Sequence, residues 1–140
     1  IHSMTFLKKY TSLFLKFGLV GALGTVINLA VFWLLVEVLR IEPNIGSVAA
    51  FVTALTANYF LNQNWTFREE AGGELFSAGS YARYAGVNLV GLAVNLIVLN
   101  AAIWLFHPQG LMLVQAAGIA AGTIFNFVLS KLFVFKAEQD

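Results

Sequence analysis

Six asparagines, Asn28, Asn58, Asn88, Asn95, Asn100 and Asn126, fall inside stretches that are otherwise almost wholly apolar. An amide in such a setting needs a hydrogen-bond partner, because hydrocarbon supplies none. It can join neighbouring helices, at about 0.6 kcal/mol per bond on average. It can also present a donor and an acceptor to a polar ligand. For Asn88 and Asn100 the helix-joining reading is the better one. For Asn58 and Asn126 the two readings stand level, because each lies about one helical turn from a basic, aromatic segment. The first segment reads Asn58-Tyr-Phe-Leu-Asn62-Gln63-Asn64-Trp65-Thr66-Phe67-Arg68, and the second reads Asn126-Phe-Val-Leu-Ser130-Lys131-Leu132-Phe133-Val134-Phe135-Lys136. Each couples a deep amide to a polar or cationic side chain one turn later, then to aromatics such as Trp65 and Phe133, and ends in a cation. An ordinary interfacial belt of aromatics and snorkelling cations gives a similar composition. The duplicated order is what a belt does not require, and it offers one anionic headgroup two converging donor sets.

The chemistry missing from the chain narrows the function classes. No Cys is present, so there is no disulfide, no thiolate nucleophile and no Cys-based metal site. Neither histidine lies in an apolar stretch, no carboxylate pair falls within reach, and no glycine loop precedes a Lys as a phosphate cradle would. No enzyme constellation, cofactor or metal is expected. The net charge of +1 is too small and too dispersed for a nucleic-acid groove. Glu37 is the only acid within an apolar stretch and sits near its end, whereas a proton-coupled exporter needs a carboxylate near mid-membrane.

The elements that must position these groups follow from composition. Of 140 residues, 59% are hydrophobic and 11% charged, a balance that a water-facing surface does not tolerate. Four stretches reach the roughly 20 residues that cross a bilayer: about Phe17 to Val38, Ile45 to Trp65, Tyr84 to Phe106 and Leu111 to Leu132. Arg40 to Asn44, Arg68 to Ser80 and His107 to Gly110 punctuate them with charge, Pro and Gly. Lys8, Lys9, Lys16, Arg68, Arg83, Lys131 and Lys136 fall on one side of this arrangement and only Arg40 on the other. The positive-inside rule then puts both termini and the middle loop in the cytoplasm, with the protein in the cytoplasmic (inner) membrane. Phe6, Tyr10, Leu13 and Phe17 recur at helical spacing ahead of the first span, either as an interfacial helix or as a continuation of that span. Residues 1–3, ahead of Met4, are left out of the fold as an extension of the kind a cloning vector leaves.

The two halves of the chain match. A shift of 67 residues aligns Lys16-Phe17 with Arg83-Tyr84, Gly24 with Gly91 and Asn28-Leu29 with Asn95-Leu96. A shift of 68 aligns Asn58-Tyr59 with Asn126-Phe127, Trp65 with Phe133 and Phe67-Arg68 with Phe135-Lys136. The expected fold is an all-α integral membrane protein of four transmembrane helices in one domain, 4–140. Two parallel helical hairpins, about 16–68 and 83–136, are related by an axis near the membrane normal. The stretch Gly118-Ile-Ala-Ala-Gly122 is a GxxxG face for helix packing, within the protomer or between protomers.

The order and spacing of these motifs resemble the GtrA-like family of small four-span membrane proteins. The resemblance runs from about Lys16 to Lys136 and rests on Lys16-Phe17 with Gly21 and Thr25, Asn58-Tyr59 to Trp65-Thr66-Phe67, Arg83-Tyr84, and Asn126-Phe127 to Ser130-Lys131 and Phe133-Val134-Phe135. The family commonly carries Arg or Lys where this chain has Gln63 or Asn64, while Lys131 keeps the expected cation. The resemblance implies a role in cell-surface polysaccharide or teichoic-acid glycosylation, by moving a polyprenyl-phosphate-linked monosaccharide from the cytoplasmic to the outer leaflet. An inside-negative potential favours that movement by about 2.3 kcal/mol per charge per 100 mV if the anion crosses the full field. The alternative is an accessory subunit that binds the lipid-linked sugar and positions a membrane glycosyltransferase. The residues expected to meet headgroup phosphate and sugar are Lys131, Asn126, Asn58, Arg83, Lys16, Asn62, Gln63, Asn28 and Asn95. Four short helices hardly enclose a sugar, so a lateral groove or a homodimer interface is expected.

Overall fold

The computed structural model describes the backbone of 2–69 and 71–139 and the side chains of 5, 7–9, 11–69 and 71–126. It is all-helical through these residues. Helix α1 runs His2–Phe32 and passes into a π-helical stretch, Trp33–Val38. Helix α2, Pro43–Leu61, likewise ends in a π-helical stretch, Asn62–Thr66, and α3 and α4 run Ala78–Phe106 and Met112–Gln139. Leu7–Val38, Pro43–Thr66 and Ala78–Phe106, of 32, 24 and 29 residues, are each long and apolar enough to cross a bilayer. Within the described side chains the apolar part of α4 is Met112–Asn126. Backbone helix is continuous through the segment ahead of the first span, which makes it a continuation of α1.

The helix ends follow local chemistry. Pro43 opens α2, where a missing N–H costs nothing, and the Glu42 carboxylate caps it by accepting from Ile45 N at 3.0 Å. The Asn44 side chain, with the Asn44 and Ile45 backbone, holds the Glu42 carboxyl below its ordinary range. Its charged form therefore persists at neutral pH, and what stability it adds is lost only as pH falls through the lowered value. Ser77 Oγ caps α3 by accepting from Ser80 N at 3.3 Å. His107 closes α3 in the left-handed region at φ 46°, and Pro108 bars continuation. Glu37 Oε1 accepts from Leu111 N at 2.8 Å, just before α4, so the one carboxylate in a span serves as a helix cap.

The helices pack chiefly as two hairpins, α1 with α2 and α3 with α4. In the second hairpin a Cβ on Gly122 would meet the backbone carbonyl of Gly91, and one on Gly118 would meet the side chain and carbonyl of Asn95. The GxxxG face is thus spent inside the protomer, on close approach of α3 and α4. In the first hairpin the corresponding positions of α2 are the buried Ala50 and Ala54. Leu19, Leu23, Ile97, Trp104 and Leu113 are among the large apolar side chains that face outward, as a lipid-facing surface requires.

Two layers hold the hairpins together. Toward the end that carries Arg40 and His107 is an apolar plug of Phe32, Val36, Ala50 and Leu99, in which Phe32 and Leu99 are fully buried. Next to it lies a chain of polar contacts drawn from all four helices. Asn95 Nδ2 on α3 donates to Ser47 Oγ on α2 at 3.4 Å, Ser47 Oγ donates to Gln115 Oε1 on α4 at 3.3 Å, and Gln115 Nε2 donates to Asn28 Oδ1 on α1 at 3.0 Å. Asn28 precedes Asn95 by 67 residues and Ser47 precedes Gln115 by 68, the same two shifts that align the hairpins. Each asparagine therefore bonds the second helix of the other hairpin, and the Ser47–Gln115 bond crosses between the hairpins.

Gln115 is fully buried and, like Ser47, is bonded on both sides. Gln115→Leu should destabilise the protein by about 1–3 kcal/mol, because Asn28 Oδ1 and Ser47 Oγ then lose their buried partner. In a detergent thermal-unfolding double-mutant cycle, Ser47→Ala added to Gln115→Leu should cost less than Ser47→Ala alone; strict additivity would contradict the bonded chain.

Candidate functional site

A cavity of about 990 Å³ extends from the end of the bundle that carries Arg83 down to Asn28 and Asn95 of the polar layer. That volume matches small-molecule sites, which span about 300–1,000 Å³. One chain builds it, with Gly18, Gly21 and Gly24 of α1, Asn58 of α2, Asn62 of the π-helical turn, Arg83 to Asn95 of α3, and Gly122 to Asn126 of α4 all contributing. A second copy is not needed to form it. Along α3 the distance from Arg83 at the mouth to Asn95 at the floor is twelve residues, or about 18 Å at 1.5 Å per residue.

The same device positions the two deep amides that sequence singled out. The Asn58 side chain lies against Gly24, where any Cβ would overlap it, and the Asn126 side chain lies against Gly91 in the same way. Both glycines and both asparagines are partners under the internal match, so each hairpin seats one amide in a glycine notch on its first helix. Without a side chain at Gly24 or Gly91 the amide can lie flat against the neighbouring backbone and still border the cavity.

Asn58 and Asn62 turn toward the Tyr84 hydroxyl. Their Oδ1 atoms, with those of Asn95 and Asn126, are buried and accept no hydrogen bond. Unpaired buried acceptors are costly, about 1–3 kcal/mol each, and mark a place where a partner is expected. Arg83 is exposed at the mouth and makes no ion pair among the described residues. Tyr59 fixes the surrounding rim: its hydroxyl donates to Ser77 O at 3.2 Å and accepts from Ser77 N at 3.0 Å. Its ring sits within 6.0 Å, centroid to centroid, of Phe60, Phe76, Tyr81 and Tyr84. Tyr81 in turn shares a 2.8 Å hydrogen bond with Thr56 of α2.

Six of the nine residues read from sequence as headgroup contacts therefore border one cavity: Asn28, Asn58, Asn62, Arg83, Asn95 and Asn126. Lys16 does not join them. Its ammonium lies 5.5 Å from the ring centroid of Trp65, at a shallower groove with Lys8 and Thr11. Gln63 is also turned away, donating to the backbone carbonyl of Glu74 at 3.1 Å and so tying the middle loop to α2. Lys131 and Phe133 lie outside the described side chains. Asn100 joins helices, exchanging hydrogen bonds of 3.0 and 2.6 Å with Asn44. Asn88 does not: it donates to Tyr84 O of its own helix at 2.8 Å and borders the cavity. Thr25, Thr53, Thr56 and Thr123 donate to the carbonyl four residues back, which satisfies them locally. No group of three His, Cys, Asp or Glu able to hold a metal occurs among the described residues. Sequence reasoning missed Ser47 and Tyr84 as partners of the site amides.

The glycine notch has a direct test. Gly24→Ala should displace the Asn58 amide while costing little stability, because the obstructing atoms are the movable end of a side chain. Gly18→Ala, in open space on the same helix, should do neither. In transport or binding assays the first substitution should reduce function by about tenfold and the second by less than about twofold; equal effects would refute the notch.

Residues 16–135 match the family model described as GtrA/DPMS, transmembrane domain. The chain is 22% identical over 122 residues to the uncharacterized membrane protein YwcD of Bacillus subtilis, covering 87% of this chain and 95% of that one. It is 23% identical to the cell wall teichoic acid glycosylation protein GtcA of Listeria innocua, covering 89% of this chain and 86% of the relative. It is 34% identical over 83 residues to the dolichol-phosphate mannosyltransferase of Pyrococcus furiosus, covering 59% of this chain but 23% of that longer protein. No solved structure matches. A match that takes in both hairpins and every cavity-lining helix makes the chain a member of the GtrA/DPMS transmembrane domain family.

Proposed function

We propose that the protein carries a polyprenyl-phosphate-linked monosaccharide across the cytoplasmic membrane, toward the outer leaflet, for cell-surface polysaccharide glycosylation. The observation that carries this reading is the cavity itself. It is large enough for a sugar, lies at membrane depth, is bordered by six asparagines, and has a cation at its mouth. The positive-inside distribution of Lys and Arg orients that mouth to the cytoplasm. On that orientation the apolar plug of Phe32 and Leu99 closes the outer half and the site opens inward. The prenyl chain remains in lipid while the headgroup enters between helices. On this reading the protein acts by binding and moving its ligand. The teichoic acid glycosylation relatives support a place in lipid-linked sugar metabolism.

A second reading has its own support. The similarity to one part of a dolichol-phosphate mannosyltransferase favours a subunit that binds the lipid-linked sugar and positions a membrane glycosyltransferase without moving the lipid. Such a subunit would use the same cavity and the same cations.

Reconstitution of the purified protein in vesicles with labelled polyprenyl-phosphate-glucose separates the two. Leaflet exchange by the protein alone is the expected result, and binding without exchange would favour the accessory role. Arg83→Gln, Asn126→Ala and Lys131→Ala should each reduce exchange by about tenfold or more, with partial recovery in Lys131→Arg. Lys8→Ala with Lys9→Ala should have a mild effect, as expected of leaflet anchors. Parent-like exchange in the Lys131 and Asn126 variants would make the duplicated motif an interfacial belt alone.

A further inference from the structure

The groove that holds Lys16 is a second concave site, and the proposed transport makes no use of it. It has a volume of about 440 Å³ and runs along the first half of α1, where Lys8, Ser12, Leu15, Lys16 and Leu19 meet Trp65 of the π-helical stretch that ends α2. Leu15 and Leu19 stand two positions from Phe17 and Gly21, which border the cavity. At 3.6 residues per turn two positions are about 200° apart, so at this level groove and cavity occupy opposite faces of one helix. The groove looks out of the bundle, and its occupant comes from the surrounding bilayer.

We propose that this groove is a resident site for an anionic phospholipid of the phosphatidylglycerol kind, separate from the cavity and from the lipid that the cavity receives. The order of its lining residues along α1 is the order of such a lipid. Leu15 and Leu19, both exposed, offer an outward apolar track for an acyl chain on the deeper side. Lys16 and Lys8 lie eight residues, or about 12 Å, apart along the helix, with the hydroxyls of Ser12 and Thr11 between them. The phosphate sits at Lys16 and Ser12, and the glycerol headgroup reaches Thr11 and Lys8. The Lys16 ammonium is held in advance, 5.5 Å from the Trp65 ring centroid, so less side-chain freedom is lost when an anion arrives. Among the described residues neither Lys8 nor Lys16 makes an ion pair and no acid lines the groove, whereas Lys9 has Glu69 at 4.0 Å. Basic pockets between transmembrane helices take anionic headgroups in this way. A lipid-linked sugar fits less well, because on this face α1 presents no polar lining residue deeper than Lys16, while the cavity face continues to Asn28.

Trp65 is itself the reporter. The other tryptophans, Trp33 and Trp104, are exposed and belong to the opposite end of the bundle, so Trp33→Phe with Trp104→Phe leaves a single indole, in the groove. In phosphatidylcholine vesicles, quenching of this indole should show a preference for brominated phosphatidylglycerol over brominated phosphatidylcholine of about fivefold or more. Lys8→Gln with Lys16→Gln should reduce that preference to less than about twofold, and Lys16→Arg, which stacks on an indole equally well, should keep it. Lys9→Gln, which removes a charge from the same helix outside the groove, should also keep it. Equal quenching by the two lipids would make the groove ordinary lipid-facing surface and overturn the proposal. A loss in Lys9→Gln as large as in the Lys8, Lys16 variant would reduce the effect to general surface charge and overturn it too. Displacement of brominated phosphatidylglycerol by farnesyl-phosphate-glucose would give the groove to the lipid-linked sugar instead, and would likewise overturn it. The cavity's role is tested apart from these outcomes, by leaflet exchange.

Discussion

The polar chain Asn95–Ser47–Gln115–Asn28 is the constraint on which the rest of this molecule depends. It draws one residue from each helix, and every bond in it joins the two hairpins. In hydrocarbon the hydrophobic effect does not press helices together, so packing and polar contacts must fix their arrangement. Small residues do this within each hairpin, at Gly24, Ala50 and Ala54 and at Gly91, Gly118 and Gly122. Between the hairpins the amide chain, backed by Phe32 and Leu99, does it. An exchange of Asn44 with Asn100 and the Glu37 cap on Leu111 tie the same half further.

The consequence is a polarised bundle. All of these inter-hairpin ties lie from the amide layer toward the Arg40 and His107 end. Toward the Arg83 end the helices separate, and the space between them is the cavity. There the rim is held by a different kind of contact, the Tyr59 hydroxyl on the Ser77 backbone and the rings packed around it. A site with one closed and one open half follows from placing the buried amide layer and the apolar plug on one side of mid-membrane. Movement of a headgroup past the amide layer would need those ties to open, and they are few enough, at modest energies per bond, for a ligand's own hydroxyls to replace them.

The all-helical fold and the hairpin pairing were legible in the sequence because apolar length and the 67- and 68-residue matches are strong signals. The cavity amides were legible in part. Asn58 and Asn126 stood out by their repeated position, and the glycine notches that hold them were visible as the pair Gly24 and Gly91, though not as a contact. Ser47 was missed although the 68-residue shift sets it against Gln115; the two differ in type, and identity rather than polarity guided the alignment. Lys16 and Gln63 were misleading because spacing along a helix cannot tell which way a long side chain turns. Lys16 found the Trp65 face, and Gln63 found a loop carbonyl brought close only by the tertiary fold. Tyr84 stood in the sequence only beside Arg83 in the internal match, and only the arrangement of α2 against α3 brings Asn58 and Asn62 to its hydroxyl.

The central claim is that the inter-hairpin cavity receives the lipid-linked headgroup from the cytoplasmic side. The native chain has no cysteine, so a single one at Val87, an exposed residue bordering the cavity, reports on it alone. The decisive measurement is the labelling rate of Val87→Cys by a membrane-impermeant maleimide in oriented vesicles, with and without polyprenyl-phosphate-glucose. The account predicts labelling from the cytoplasmic face, slowed by the lipid-linked sugar and unaffected by polyprenol. Labelling that the lipid-linked sugar leaves unchanged, or that proceeds only from the opposite face, would contradict it.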